Sequence, residues 1–275
     1  MEQEIRALLA ARGIDTVAPI SLSALTVTRP YLLHREGIER GTAFLFAVPY
    51  YTTHCDNPAR NISAYAISRD YHLFFSALFA EILPILREKF APHRFAGFSD
   101  HSPIAEADAA VRAGLGFFGC NHLFLTPKYS SYVFLGEIIT DAVLDTPAKP
   151  LTFCEGCGKC RAACPVSLDA KRCLSALTQK KGALGEEEKN TLLQHRLVWG
   201  CDRCQEVCPV TVAAKKAGTL YSQIPFFSEA PLPHLTADSV RQMEDTEFAA
   251  RAYSWRGKET VLRNLILHEK GEAKG

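Results

Sequence analysis

The feature that most constrains this 275-residue chain is a run of cysteines, Cys154-Glu-Gly-Cys157-Gly-Lys-Cys160-Arg-Ala-Ala-Cys164-Pro165, echoed by Cys201-Asp-Arg-Cys204-Gln-Glu-Val-Cys208-Pro209. The C-x2-C-x2-C-x3-C-P spacing is the ligand pattern of bacterial ferredoxin clusters. Its short gaps let three thiolates of one loop converge on one iron–sulfur cube, while the fourth cysteine starts the next turn and reaches the other cluster. Cys154, Cys157 and Cys160 therefore pair with Cys208. The second set is Cys164, Cys201, Cys204 and one further thiolate, for which Cys173 is the nearest candidate; its other reading is a buried free cysteine. Two 4Fe–4S clusters take these eight cysteines and leave Cys55 and Cys120. Structural zinc also uses C-x2-C pairs, but gains nothing from the x2-x2-x3-Pro run. Disulfides suit an exported chain, and nothing here looks exported. A chain built this way moves single electrons.

Hydrophobic residues make up 47% of the sequence, enough for a sizeable core in one large domain or two modest ones. The formal charge of +1 announces no nucleic-acid partner. Pairs such as Lys171-Arg172, Lys180-Lys181 and Lys215-Lys216 read as solvated surface. The amino terminus is an acidic amphipathic helix start without the basic and apolar regions of a signal peptide. No stretch approaches the ~18 apolar residues of a membrane span. The expectation is a soluble cytoplasmic protein with reduced thiols.

Three segments emerge: residues 1–150, mixing helices and strands; the cluster module 151–212; and a tail, 213–275, ending in helix over 246–268. Residues 41–48 read as a buried strand ended by Pro49. A helical stretch follows over 59–90, with Pro84 as a kink. Ser102-Pro103 reads as a helix start, and Gly114 and Gly116 as its close. Residues 123–126 and 132–135 form a hairpin-like pair, and 145–150 a linker. The expected class is α+β.

A two-cluster ferredoxin needs only about sixty residues, so the remainder either holds a redox cofactor and substrate or serves as a docking platform for a carrier. No G-x-G-x-x-G follows a strand, and no G-x-x-x-x-G-K-[ST] occurs, so nucleotide sites are unsupported.

Several short motifs, taken in order, resemble those of the epoxyqueuosine reductase family. Ala64-Tyr-Ala-Ile-Ser-Arg-Asp70-Tyr71-His72 resembles its YA-W-G-x-DYH motif, and Asp100-His-Ser-Pro103-Ile-Ala-Glu106 its D-x-x-P-x-x-E element. Ala113-Gly-Leu-Gly-Phe-Phe-Gly119-Cys-Asn121 resembles AGLGW-x-GKN, and Phe134-Leu-Gly-Glu-Ile-Ile139 resembles FLGEI. The cluster motifs, Arg172-Cys173, Trp199-Gly-Cys-Asp202, Trp255-Arg256 and Leu262-Arg-Asn264 also fit.

The resemblance implies a mixed α/β corrinoid-binding domain, in a fold also seen in reductive dehalogenases, followed by a two-cluster ferredoxin-like domain. It implies cobalamin bound base-off, reduced through the clusters by a flavodoxin or ferredoxin-type donor. It also implies a monomer that reduces epoxyqueuosine to queuosine in the tRNA anticodon loop. Asp100 would be the acid that protonates the departing oxygen, because a carboxylic acid in an apolar site holds its proton near neutral pH. Asp70, Tyr71 and His72 would line the same pocket as successive positions of a helix. Gly114, Gly116, Gly119 and Asn121 would shape the backbone beside the cofactor. Without the resemblance, Asp100 is a helix N-terminal anion, Asp-Tyr-His a half-exposed helix surface, and the glycines a helix stop and turn.

The sequence departs from the family at four places: Cys120 stands where Lys is usual, Ala107 where Arg is, and Ile67 and Phe117 where Trp is. Ending at Gly275, it reads as a short form, expected to lack the helical-repeat region by which many relatives grip tRNA. The competing readings are a corrinoid iron–sulfur reductase of another substrate such as an organohalide, a corrinoid reactivase, and a plain electron carrier.

Overall fold

The computed structural model describes residues 1–272. The chain divides into two units, and it enters the second of them three times.

The first unit comprises residues 1–50, 72–157 and 213–224. It is built on an antiparallel sheet ordered β1-β2-β6-β3, from Thr16–Ser21 (β1), Thr42–Pro49 (β2), Phe95–Phe98 (β3) and Val133–Thr140 (β6). The buried strand expected at 41–48 is β2, with every residue buried. Its alternate side chains go to opposite faces. On one face Phe46 meets Phe75 and Phe79 at ring-centroid distances of 6.1 and 6.4 Å. The other face carries Ala43, Leu45 and Ile139 and is covered by Ala109, Ala110 and Val111 of helix Glu106–Ala113. Leu45 pairs with Glu137 across β2 and β6, so an acidic residue lies on that covered apolar face.

Three local readings differ from the structure. Helix Tyr71–Lys89, which runs through Pro84, begins twelve residues later than the residue-59 start read from the sequence. Residues 59–70 are drawn into other partnerships, with only a short 3-10 turn at Ala64–Ala66. The helix expected at Ser102 begins at Glu106 instead. Residues 102–105 are pinned to the segment before them, Thr28 and Arg29 amides donating to Pro103 O and Ala105 to Thr26 O. Gly114 does close that helix, in the left-handed conformation at φ +86°. The expected hairpin does not form. Phe124–Leu125 (β5) pairs with Phe117–Phe118 (β4), whereas β6 joins the main sheet. A tight turn separates them, with the Thr126 amide donating to Ser130 O at 2.9 Å.

The second unit comprises residues 51–71, 158–212 and 225–275. It consists of short helices and irregular segments tied by buried polar groups. Asp202 is wholly buried and accepts hydrogen bonds from the Arg60 guanidinium, the Ser63 hydroxyl, the Ala64 amide (2.8 Å) and the Gln205 amide (3.2 Å). Arg60 also reaches Glu206 at 2.5 Å. Trp199 is fully buried and donates its indole N–H to the Tyr65 hydroxyl at 2.7 Å. Ser63 and Val198 amides complete the bridge, donating to Trp199 O and Asn61 O. The tail ends in helix Lys258–Glu272, whose buried Asn264 donates to both Thr178 O and Val198 O at 2.8 Å. No described helix is long and apolar enough to cross a membrane.

Breaking a buried ion pair leaves the surviving charge without compensation. Asp202→Ala is therefore expected to cost about 3 kcal/mol, the low end for a buried pair because Glu206 still reaches Arg60. A fall in the denaturation midpoint, with faster bleaching of the cluster absorbance, checks this. An unchanged midpoint would mean that Asp202 does not hold the unit together.

Candidate functional site

In the first unit, Asp100 sits just past β3 with φ +61°, a left-handed conformation that Asp adopts more readily than most residues. Its amide donates to Glu106 Oε1 at 3.0 Å. Its carboxylate Oδ2 lies 3.5 Å from His72 Nε2, and both side chains are open to solvent, at 67% and 50% exposure. Beside it, the Tyr31 hydroxyl and His101 Nε2 are 3.0 Å apart. Tyr31 and Leu73 are both exposed. The result is an exposed carboxylate against one imidazole, with a second imidazole on the adjacent residue held by a tyrosine hydroxyl.

Of the Asp-Tyr-His triplet, His72 stands against Asp100. Asp70 and Tyr71 belong to the second unit. Asp70 precedes the helix, its amide donating to Ala250 O at 2.8 Å, so the three residues are not successive positions of one helix.

Behind Asp100 lies a group to which the sequence reading gave no role. Glu137 is fully buried. Its Oε1 accepts the Ser102 hydroxyl, while its Oε2 has no donor. The Glu106 carboxyl is within hydrogen-bonding reach of it. Burial and then the nearby Glu106 charge push the Glu137 acid well up. Burial lifts Glu106 to about 7, with the Asp100 charge adding to the rise and Arg29 opposing it. The signal was present in the sequence: a glutamate in the middle of an apolar strand, Phe-Leu-Gly-Glu-Ile-Ile.

The glycine loop turns out to cradle the first cysteine. Phe118 and Phe153 form a parallel bridge, with the Phe118 amide donating to Thr152 O and the Cys154 amide to Phe118 O. The Cys120 amide donates to Cys154 Sγ at 3.3 Å, and the two sulfurs are 3.6 Å apart. Amide donors, Gly156 first and Cys120 after it, pull the Cys154 thiol below its usual value. Gly116 has no room for a side chain, because a Cβ there would run into the Leu125 carbonyl oxygen. Gly119 is likewise filled by the Asn121 and Leu125 side chains, and Asn121 Oδ1 accepts the Leu123 amide at 3.4 Å.

Cys154 and Cys157 lie in the first unit; Cys160, Cys164, Cys173, Cys201, Cys204 and Cys208 lie in the second. No disulfide joins the cysteines among the described residues. Helix Lys159–Ala163, bearing Cys160, packs on helix Arg203–Glu206, bearing Cys204. The Leu168 amide donates to Cys164 Sγ at 3.3 Å. Cys173 caps the short helix Leu174–Thr178, and its charge acts on Cys201. Burial pushes the Cys201 thiol up to about 11, so a bound metal must displace its proton. Cys55 is buried, and burial pushes its thiol up to about 11 as well. Among the described residues, no three His, Cys, Asp or Glu groups are gathered as around a single ion. A four-iron cube spreads its thiolates more widely than one ion does. Soft sulfur donors with amide N–H groups aimed at them suit such a cube.

Residues 153–211 match the 4Fe-4S double cluster binding domain family. The chain is 34% identical over 206 residues to the epoxyqueuosine reductase of Bacillus subtilis, a stretch covering 72% of this chain and 53% of that protein. It thus spans about half the length of the curated relatives it matches. Its fold is similar to that of an epoxyqueuosine reductase solved with an epoxyqueuosine-modified tRNA stem loop, with a TM-score of 0.78 and 26% identity, covering 97% of this chain and 80% of that one. A catabolic reductive dehalogenase shares the fold more loosely, with a TM-score of 0.50 and 18% identity over 80% of this chain and 34% of that one. The mixed helix-and-sheet class expected from the sequence is borne out.

Because the glycine loop holds Cys154 through backbone bonds, Gly116→Ala is expected to destabilise the protein by about 1–3 kcal/mol, the usual cost of overpacking. Iron bound per chain should fall with it. Full iron at an unchanged melting temperature would separate the loop from the cysteine.

Proposed function

The chain is a relative of the epoxyqueuosine reductases, and on that premise we propose that it is a cobalamin-dependent iron–sulfur oxidoreductase. Its substrate is epoxyqueuosine in the tRNA anticodon loop, which it reduces to queuosine in the last step of queuosine biosynthesis. The observation that carries this reading is an open acid site, Asp100 beside His72, in the same chain as a double-cluster cysteine module.

Removing an epoxide oxygen as water takes two electrons and two protons. The clusters handle electrons singly, one set held by Cys154, Cys157, Cys160 and Cys208, the other by Cys164, Cys201, Cys204 and Cys173. A flavodoxin or ferredoxin-type donor supplies them. Asp100 gives one proton to the departing oxygen, and the second comes from solvent, to which Asp100 is open. His72 Nε2, 3.5 Å from the Asp100 carboxylate, orients it, and Asp70 and Tyr71 line the substrate side.

We assign the corrinoid to the exposed side of the Asp100–His72 pair, next to the Tyr31–His101 contact. Base-off cobalamin held there would supply a strong nucleophile and reductant. Gly114, Gly116, Gly119 and Asn121 serve it by fixing the shape of the neighbouring loop, because the open sides of Gly116 and Gly119 are filled by the chain's own atoms. We keep residues 1–150, 151–212 and 213–275 as a division of labour among corrinoid and substrate binding, electron transfer and a supporting helical tail. The protein acts as a cytoplasmic monomer.

Protein made anaerobically with cobalamin is expected to hold about eight irons in two four-iron clusters and one cobalt per chain. Full iron without cobalt would leave an electron carrier. Asp100→Asn should keep both metals yet lose about 10²–10⁴-fold in turnover of epoxyqueuosine-modified stem loop, the usual weight of a general acid. An active Asp100→Asn protein would remove the acid assignment. Cys173→Ala should drop iron to about four if it completes the second cluster; undiminished iron would return Cys173 to an ordinary thiol.

A further inference from the structure

Two carboxyl groups meet behind the Asp100 turn where only one negative charge can be accommodated. Glu137 comes from the middle of β6 and faces the apolar layer under helix Glu106–Ala113, with no exposure to solvent. One of its oxygens takes the Ser102 hydroxyl, and the other has no donor among the protein groups. Glu106, the first residue of the covering helix, turns its carboxyl towards Glu137 while its Oε1 accepts the Asp100 amide at 3.0 Å. The charged and titratable groups around them are few. Arg29 faces Glu106 from the segment ahead of helix Pro30–Arg35, but its Nη1 is bound to Ser102 O at 2.9 Å. Asp100 adds a further negative charge from the loop, and His72 stands beyond it. The strands beneath contribute Leu45 and Ile139, which are apolar. Two adjacent carboxylates without a dedicated cation do not both ionise, and a buried acceptor with no donor is costly.

We propose that Glu106 and Glu137 share one proton and, through it, hold the turn that carries Asp100, as positioning residues for the acid. The proposal rests on the reading of Asp100 as that acid. With the proton on Glu137 Oε2, that oxygen donates to the Glu106 carboxylate and is no longer an unmet acceptor. Glu106 then stays in place as a charge-assisted acceptor for the Asp100 amide. When the proton leaves, the two carboxylates repel, Glu106 is driven off and the left-handed turn at Asp100 loses its anchor.

The sign of the linkage follows from the direction of both shifts. The pair holds its one proton in the folded protein at pH values where the unfolded chain has released it, so the folded state binds more protons. Stability therefore falls as pH rises from the ordinary carboxylate range through the folded value. Glu137→Gln places a permanent amide donor where the proton stood. It keeps the contact with Glu106 and removes the titration.

The test uses the cluster-loaded protein from about pH 5 to about pH 8.5, a range that spans ordinary and raised carboxyl values. Wild type should lose melting temperature across this range more steeply than Glu137→Gln. Hydrogen exchange at the Asp100 amide should be about tenfold faster or more in Glu106→Ala, the effect of losing a charged acceptor, and the same acceleration in Glu137→Leu should be reversed in Glu137→Gln. In turnover, Glu106→Ala should lower kcat by about 100-fold with little change in KM, as a displaced catalytic group does. Glu137→Gln should shift the alkaline limb of the pH profile. If Glu137→Gln does not fold, Glu106→Gln, whose side chain is only partly buried, must show the same loss of pH slope. Superimposable melting curves for wild type and Gln variants, with Asp100 exchange unaltered in Glu106→Ala, would overturn the proposal. A wild type that binds no corrinoid or turns over no epoxyqueuosine would sink the functional reading alone, since melting and exchange report on the pair without it.

Discussion

One buried carboxylate organises the second unit. Asp202 has no access to water, so each of its lone pairs must be met by the protein, and the donors come from two distant stretches of chain: Arg60, Ser63 and Ala64 on one side, Gln205 on the other. Asp202 stands between Cys201 and Cys204. Satisfying its charge therefore fixes where those two sulfurs sit. The unit has little sheet or long helix to do this by packing, and an ion pair is directional where apolar contact is not. Trp199 and Asn264 extend the same scaffold, the first through Tyr65 and the second through Thr178 and Val198. A double-cluster module needs its sulfurs at fixed positions, and here that rigidity comes from directional polar contacts to a buried carboxylate.

The sequence reading succeeded where chemistry is local. Thiol spacing is written in consecutive residues, a fully buried strand shows as an unbroken apolar run, and Gly114 marks the helix end that only a left-handed residue makes easily. It failed where a distant partner overrides local preference. Residues 59–70 look helical, but their amides and carbonyls are taken by residues 198–202 and 233–235. Ser102 looks like a cap, but its hydroxyl is drawn to Glu137, 35 positions away. Residues 123–126 and 132–135 look like a hairpin, but each has a better partner in another strand. No window of neighbouring residues contains those competitors.

The candidate site was legible in the same uneven way. Asp100 and His72 come from different motifs, and the structure places them side by side. Tyr31, which carries no motif, meets His101, an unspecified position of the Asp100 motif. Glu137 was visible as an anomaly, a charge in an apolar strand. Its meaning required the register that sets it opposite Leu45 and under the helix that Glu106 begins. A buried acid is informative because nothing in packing demands it.

The departures from the family pattern become easier to weigh once the contacts are known. At position 120 the usual Lys is replaced by Cys, yet the bond to the first cluster cysteine comes from the backbone amide, which every residue but proline supplies. The replacement therefore leaves the cradle of Cys154 intact and changes only what the exposed side chain offers beyond it. The thiol it introduces lies 3.6 Å from Cys154 Sγ, close enough that its S–H adds to the amide donors already serving that sulfur. At position 107 the loss of Arg removes a long cation from the helix that covers Glu137. The chain then has Arg29 alone, among the groups acting on Glu106, to oppose negative charge there. With less positive charge at hand, the second proton-binding position becomes harder to empty, and the carboxyl pair is driven further towards its singly protonated form.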